Sequence, residues 1–344
     1  MKAMVLAAGL GLRLRPLTVY WAKPALPVLG RPIVDYTMNL VQQADIREVV
    51  VNLHHRPDSI TSALEDASDR GLRVRLSEES EILGTAGGLK NAESFLRNET
   101  FVLINGDTLV DVDLSDLLRF HTTRGGEATM LLRPKPTGSD YTAFGLDQKS
   151  RIVSMGGELS SPLMFAGVWV LEPSVFERIR PGCIGGLEVE LIPSLIKEKV
   201  VYGYEKDVAW FDIGTPGRYL DTCLKMARRG LFRDMWCVKP LEQGSAVLAG
   251  SSVTVARQAR FQGESVLGSN CRVDAGAKIQ KSVLWDGVVV GKGAMVRNSI
   301  IAEGVVLPPG SHTEDQVVIR AEGDLSRFRA RERLAEYVVA SIKH

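Results

Sequence analysis

The chain has 344 residues, 45% of them hydrophobic and 24% charged, and a formal net charge of +1 at pH 7. The length suggests about two domains, and the apolar content excludes bulk disorder. So even a charge balance gives no electrostatic reason to expect a nucleic-acid or anionic-membrane partner.

Four cysteines, Cys183, Cys223, Cys237 and Cys271, have no CxxC spacing. This argues against a disulfide framework or a zinc ribbon and favours thiols in a reducing cytoplasm. The first residues lack the order of a signal peptide. No run approaches about 20 apolar residues, so no transmembrane helix is expected.

Taken in order, Ala3 to Ala7 reads as a buried strand, and Ile33 to Ala44 as a helix with Pro32 at its start. Glu48 to Asn52 is a second strand, and Asp58 to Asp69 a helix capped by Asp58 or Ser59. Phe101 to Ile104 is a third strand, followed by Asn105-Gly106-Asp107. Ser115 to Thr123 reads as a helix and Ala128 to Arg133 as a strand. This alternation predicts a Rossmann-like α/β domain over 1–235, with a doubly wound sheet and helices on both faces. Ligands of such sheets bind beyond the carboxyl ends of the strands. The segments Gly9 to Arg15 and Gly106-Asp107 occupy such ends.

After about residue 245 the period changes. Val255, Phe261, Leu267, Val273 and Ile279 are six apart. A step of five leads to Leu284, sixes resume at Val290 and Val296, another five reaches Ile301, and a six reaches Leu307. Six is neither the helical nor the strand period. It matches hexapeptide coils with one aliphatic residue inside per side, so residues 245–320 are expected to form a left-handed parallel β-helix of about three coils. From 321 to 344 an Arg-rich segment with Leu325, Phe328, Leu334, Tyr337, Val338 and Ile342 reads as a helix that caps the coil or joins copies of the chain. His312 is placed in a loop after the coils.

The loop Leu6 to Leu17 is Gly-rich and carries Arg13 and Arg15, with Lys23 following. It lacks the Walker pattern G-x-x-x-x-G-K-[ST], and Leu14 stands where a dinucleotide motif needs its third glycine. A bare strand-to-helix turn would explain Gly9 and Gly11 alone. The added cations favour phosphate: glycine backbone N–H groups approach it closely, and guanidinium and ammonium groups neutralise it.

The stretch Leu6 to Leu29, LAAGLGLRLRPLTVYWAKPALPVL, resembles the signature of sugar-1-phosphate nucleotidylyltransferases. Further similarities follow in the family's order: EILGTAGGLK at Glu81 to Lys90, Asn105-Gly106-Asp107, Ala166-Gly167-Val168-Trp169, and WFDIGTP at Trp210 to Pro216. A β-helix behind such a domain also resembles the arrangement in ADP-glucose and GDP-mannose pyrophosphorylases. The resemblance implies transfer of a nucleotidyl group from an NTP to a sugar-1-phosphate, with release of pyrophosphate.

On that resemblance Arg13 and Lys23 serve the phosphates and the developing charge. Asp107 and Asp212 hold Mg²⁺. Ala8, Gly9 and Gly11 lie along the nucleotide, and Glu79, Gly84 and Thr85 face the base. Gly145, Glu158 and Gly167 face the sugar. Arg15 is assigned a structural role. The chain departs from the pattern at Leu12 (usually Thr), at Phe165 (usually Asn), and in lacking an E-K-P element, where Met155-Gly156-Gly157-Glu158 stands instead. The expected substrates are GTP and mannose-1-phosphate, with glucose-1-phosphate and UTP, dTTP or ATP as the alternative. A non-catalytic regulatory subunit and an acyltransferase acting on the coil are the other readings. A homo-oligomer without nucleic-acid or membrane partners is expected.

Overall fold

A computed structural model describes residues 1–65, 70–157, 162–243, 245–321, 332–334 and 337–342. The chain divides into two compact units. The first comprises Met1–Leu10, Ala22–Ala25 and Ile33–Phe211; the second comprises Gly11–Trp21, Leu26–Pro32 and Asp212–His344. The second unit thus takes two short N-terminal segments as well as the chain beyond Phe211. Among the described residues no helix is long and apolar enough to cross a membrane.

The first unit is built on a mixed nine-stranded sheet. Its strands are β1 (Lys2–Leu6), β2 (Glu48–Leu53), β3 (Arg73–Glu78), β4 (Phe101–Asn105), β5 (Ala128–Pro134), β6 (Phe144–Leu146), β7 (Ile152–Met155), β8 (Leu163–Leu171) and β9 (Val201–Glu205). The order is β7–β6–β8–β4–β1–β2–β3, with β5 also on β8 and β9 on β5. Strands β1, β2, β3 and β4 run parallel, and β8 is antiparallel to both β4 and β5. Strand β4 and strand β5 therefore point the same way. Side chains alternate between two cores, as the period of two requires. Val5, Val51 and Ile104 face one way and pack with Met38 of α1 (Ile33–Gln43) and Leu117 of α4 (Leu114–Arg124). Met4, Val50 and Leu103 face the other way and pack with Leu89 of α3 (Gly84–Asn91). Each such fully buried side chain contributes about 1.5–3 kcal/mol. Strands buried on both faces read as continuous apolar runs, which is why they were visible in the sequence.

Helix α4 is capped by Asp113, whose carboxylate accepts from Ser115 N at 2.8 Å. The expected cap at Asp58 or Ser59 is absent. Helix α2 (Pro57–Ala63) starts with Pro57 in its first turn after a left-handed Arg56 and has no side-chain cap. Proline fixes the first turn without needing one. Residues 66–69, the end of that expected helix, lie outside the described residues.

The second unit is a three-faced parallel coil, the left-handed β-helix expected from the hexads. One face stacks Val247–Ala249, Ser265–Leu267, Val283–Leu284, Ile300–Ile301 and Gln316–Arg320 in parallel. The other two faces have four strands each, from Thr254–Val255 to Val306–Leu307 and from Arg260–Gln262 to His312–Glu314. The coil is thus longer than the expected three turns. Leu267, Val273, Ile279, Leu284, Val290, Val296, Ile301 and Leu307 form one buried stripe, with Val255 and Phe261 partly buried against it. The two five-residue steps have a cause. They fall at one corner of successive coils, where Lys281 and Asn298 both take φ 46° and tighten the turn. Beside that corner runs a column of buried serines: Ser299 N donates to Ser282 Oγ at 3.2 Å, and Gln316 N to Ser299 Oγ at 3.1 Å.

Helix α5 (Pro216–Arg229) and the N-terminal segments complete this unit. Trp285 Nε1 donates to the Tyr219 hydroxyl at 2.8 Å, and that hydroxyl donates to the Pro27 carbonyl. The ring of Trp21 meets Trp285 edge-on at 5.1 Å.

The C-terminal helix is corrected where the structure describes it. Tyr337–Ser341 is a strand, antiparallel to Gln316–Arg320, and Glu332–Leu334 is a strand paired with it. The run Tyr-Val-Val favours extended backbone, and the last coil offers an open edge that needs a partner. The segments 322–331, 335–336 and 343–344 of that expected helix lie outside the described residues. His312 sits in a coil strand rather than in a loop, 3.6 Å from Glu314.

Candidate active site

A cleft of about 200 Å³ opens in the first unit at the carboxyl ends of β1, β2 and β4. Its walls include Ala8, Gly9, Glu79, Gly84, Thr85 and Asp107, six of the residues singled out in the sequence. Leu6, Asn52, Ile82 and Asn105 complete the lining. An added Cβ at Gly9 would meet nothing within 4 Å. The protein itself does not demand glycine there, and the bare backbone leaves room for a ligand.

One wall is held by a relay of buried polar groups. Ala7 N donates to Asn52 Oδ1 at 2.7 Å, and Asn52 Nδ2 donates to Glu79 Oε1 at 2.7 Å. The second carboxylate oxygen of Glu79 accepts from Leu83 N at 3.2 Å. This ties the glycine loop after β1 to the loop before α3. Gly84 takes φ +75°, and an added Cβ would stand 2.4 Å from the Gly185 carbonyl oxygen. Only glycine allows that approach. Ala86 N donates to the same carbonyl at 2.9 Å, and the Thr85 hydroxyl accepts from Leu187 N at 2.9 Å.

The charged groups follow. Lys23, buried in a short turn, donates to Asp107 Oδ2 at 2.7 Å. The Asp107 side chain is 41% exposed, so one face of the pair meets solvent. Gly11 (φ 61°) and Arg13 belong to the second unit. Arg13 is exposed on the turn Leu12–Leu14 and has no ion pair among the described residues. Asp212 also belongs to the second unit, where Arg218 NH1 donates to it at 2.6 Å. Thr215 caps α5, with Pro216 next, so Asp212 is spared that role. Asp107 lies in the turn after β4 and Asp212 closes the strand Trp210–Asp212; each offers hard oxygen donors of the kind that suits Mg²⁺. Among the described residues no three His, Cys, Asp or Glu side chains gather as a metal cage.

On the sugar side, Gly167 (φ +91°) lies in a bulge of β8, with Asn105 Cβ 3.5 Å from its would-be side chain. Gly145 lies in β6, away from the cleft walls. Glu158 lies outside the described residues. Sequence reasoning missed Asn52 and Asn105. Asn105 carried a signal, as a lone polar residue closing an apolar strand at its carboxyl end, whereas Asn52 sits one residue inside the end of β2 and carried none.

Residues 2–229 match the family model described as Nucleotidyl transferase, and residues 241–333 match that of a GlmU-like C-terminal hexapeptide domain. The chain is 30% identical to a protein of Mycobacterium tuberculosis named mannose-1-phosphate guanylyltransferase, over 83% of this chain and 80% of that one. It is 29% identical to a Synechocystis protein named UTP–glucose-1-phosphate uridylyltransferase, over 83% of each. The crystal structure of HddC from Yersinia pseudotuberculosis superimposes with a TM-score of 0.57, at 21% identity, over 65% of this chain and 99% of that one. The fold, the cleft at the strand ends and these matches agree: this chain belongs to the nucleotidyl transferase family, and it is an enzyme of that family joined to a hexapeptide coil.

Proposed function

We propose that the enzyme joins an NTP to a sugar-1-phosphate, releasing pyrophosphate and forming an NDP-sugar. A phosphate oxygen of the sugar phosphate attacks the α-phosphorus. The bond to the β-phosphate oxygen breaks, and its electrons leave with pyrophosphate. Such a transfer asks little covalent chemistry of the protein; it needs alignment and neutralised charge. The Lys23–Asp107 pair carries this reading: it fixes an ammonium at the rim of a cleft floored by bare glycine backbone. Lys23 would meet the phosphates of the nucleotide, and Arg13, from the glycine loop, would join it. Ala8, Gly9 and Gly11 would lie along the nucleotide. Asp107 and Asp212 would hold Mg²⁺, which when bound draws charge off the phosphate oxygens.

For the base, the reading is guanine. The Glu79 carboxylate is buried, accepts only, and keeps spare lone pairs beyond its two bonds. Guanine offers two adjacent donors, N1–H and the 2-amino group, where uracil offers one and the matching position of adenine is an acceptor. A relative named for mannose-1-phosphate and guanylyl transfer supports the pairing of GTP with mannose-1-phosphate. The test is pyrophosphate release over a grid of five NTPs and a panel of sugar-1-phosphates. A single strong cell at GTP and mannose-1-phosphate is expected. A strong cell at another base moves the assignment of Glu79, and a blank grid with folded protein overturns catalysis.

A further inference from the structure

The coil carries a residue that its own repeat does not explain. On the face that begins at Val247–Ala249, the inward aliphatics are Ala249, Leu267, Leu284, Ile301 and Val318. The residue after each is Gly250, Gly268, Trp285, Ala302 and Ile319 in turn. A bulky indole thus stands where the turns on either side of it have Gly268 and Ala302. Trp285 is nevertheless only 5% exposed, so groups from outside the stack cover it.

The cover comes from other parts of the second unit. Trp21 meets the indole edge-on at 5.1 Å and Tyr219 of α5 meets it at 6.2 Å. The bond from Trp285 Nε1 to the Tyr219 hydroxyl fixes the plane of the ring. Trp21 ends the segment Gly11–Trp21, which belongs to this unit and carries Arg13. That segment is folded on itself. The Thr18 hydroxyl donates to the Gly11 carbonyl at 2.8 Å, and Leu14 N donates to the same oxygen at 2.9 Å. Leu14, Leu17, Thr18 and Val19 are buried beneath it, and Arg13 stands on its exposed side. A loop closed in this way moves as one piece, so a grip on its root at Trp21 constrains the backbone at Arg13.

We infer that Trp285 is a positioning residue for Arg13: through this ring and Trp21, the coil sets where the guanidinium stands. The inference rests on the nucleotidyl-transfer reading above, in which Arg13 meets the phosphates. A guanidinium serves a phosphate by a fork of fixed geometry, and a misplacement of about 1 Å can lower a rate by about 10². A loop alone holds such geometry poorly, and a rigid element behind it supplies what it lacks. The stacked strands are that element, and the indole is their point of contact with the loop.

The test places Trp285→Leu in the full chain, alone and together with Arg13→Ala, and measures pyrophosphate release with the substrate pair that the wild type uses. Trp285→Leu is expected to lower kcat about tenfold. Trp285→Phe, which keeps a ring edge for Trp21, should recover most of that loss. The decisive readout is the cycle with Arg13. If Trp285 acts through Arg13, then Trp285→Leu lowers the residual rate of Arg13→Ala by no more than about twofold. A tenfold loss in both backgrounds overturns the inference, as does an unchanged kcat in Trp285→Leu. Should Trp285→Leu fail to fold, Trp21→Ala, on the loop itself, is put through the same cycle with the same expectations. A second readout needs no catalysis. Between Gly11 and Pro32 the basic residues are Arg13, Arg15, Lys23 and Arg31, and all but Arg13 precede a proline, so trypsin reads this loop at the Arg13–Leu14 bond. Trp285→Leu and Trp21→Ala should each speed that cut about tenfold, with far-UV circular dichroism unchanged. A wild type that releases no pyrophosphate with any pair defeats the enzymatic reading; the cut then decides the anchor alone, and wild-type rates in both variants refute it.

Discussion

The two units meet the same demand, burial of an apolar core, with opposite economies of sequence. The coil repeats one instruction: an aliphatic residue inward at every hexad, with a left-handed residue at each tight corner. Trp285 aside, no single rung is special, and the buried serines Ser282 and Ser299 accept from the next coil, although Ser311 Oγ is buried with no partner among the described residues. The α/β unit repeats nothing. Its central strands are largely apolar until polar residues near or just beyond their carboxyl ends, Asn52, Asn105 and Asp107, line a cleft. It keeps bare backbone at Gly9, and donors at Arg133 and Trp210 with no acceptor among the described residues. The lesson is where function concentrates: in the positions that interrupt the pattern, not in those that make it.

Substitutions can break that contrast. The largest effect is expected at the cleft. Asp107→Asn and Lys23→Met should each lower kcat by about 10²–10³, with far-UV circular dichroism unchanged. In the coil the sign reverses. Leu284→Ala should remove about 2–5 kcal/mol of stability in urea unfolding, yet leave KM for both substrates as in the wild type. Two glycines with the same backbone sign sharpen the comparison. Gly84→Ala meets the Gly185 carbonyl at 2.4 Å, whereas Gly293→Ala meets nothing within 4 Å. The first should lose about 1–3 kcal/mol and raise KM for the NTP; the second should lose about 1 kcal/mol and leave kinetics alone.

Smaller effects follow from ionisable groups. The Arg178 guanidinium hydrogen-bonds Glu127 and holds its carboxyl below the ordinary value of 4.5. A depressed carboxyl stabilises the fold above that value and loses its contribution as pH falls below it. Glu127→Gln should therefore lower stability at pH 7 and flatten the acid limb, so that variant and wild type converge as pH falls below about 4.5. Burial pushes the Cys223 thiol up to about 12 and the Cys271 thiol up to about 11. Cys183 is also buried and Cys237 is exposed. An aromatic disulfide reagent at pH 8 should find Cys237 fast in the native protein and the other three only after unfolding.

The coil was legible almost residue by residue because its period survives without knowledge of partners. Even its two slips were visible, though the reason, a corner at Lys281 and Asn298, was not. The parallel strands were legible as apolar runs. The tail was not: Tyr337 to Ile342 carries a plausible helical stripe, and only the open edge at Gln316–Arg320 decides for a strand. At the cleft, the glycine loop, Asp107 and Glu79 could be found by motif. Asn52 acts through a relay between loops that are far apart in sequence, and no local pattern announces it. The same holds for Arg133 and Trp210, which only the fold brings together.

The cleft around Lys23 and Asp107 is where we propose that an NTP is joined to a sugar-1-phosphate. The most direct check measures pyrophosphate and NDP-sugar together in wild type and Lys23→Met with Mg²⁺ present. Equal amounts of both products, formation only when both substrates are supplied, and a loss of about 10²-fold or more in the variant are expected. Pyrophosphate released without sugar-1-phosphate, or a variant as active as the wild type, would contradict it.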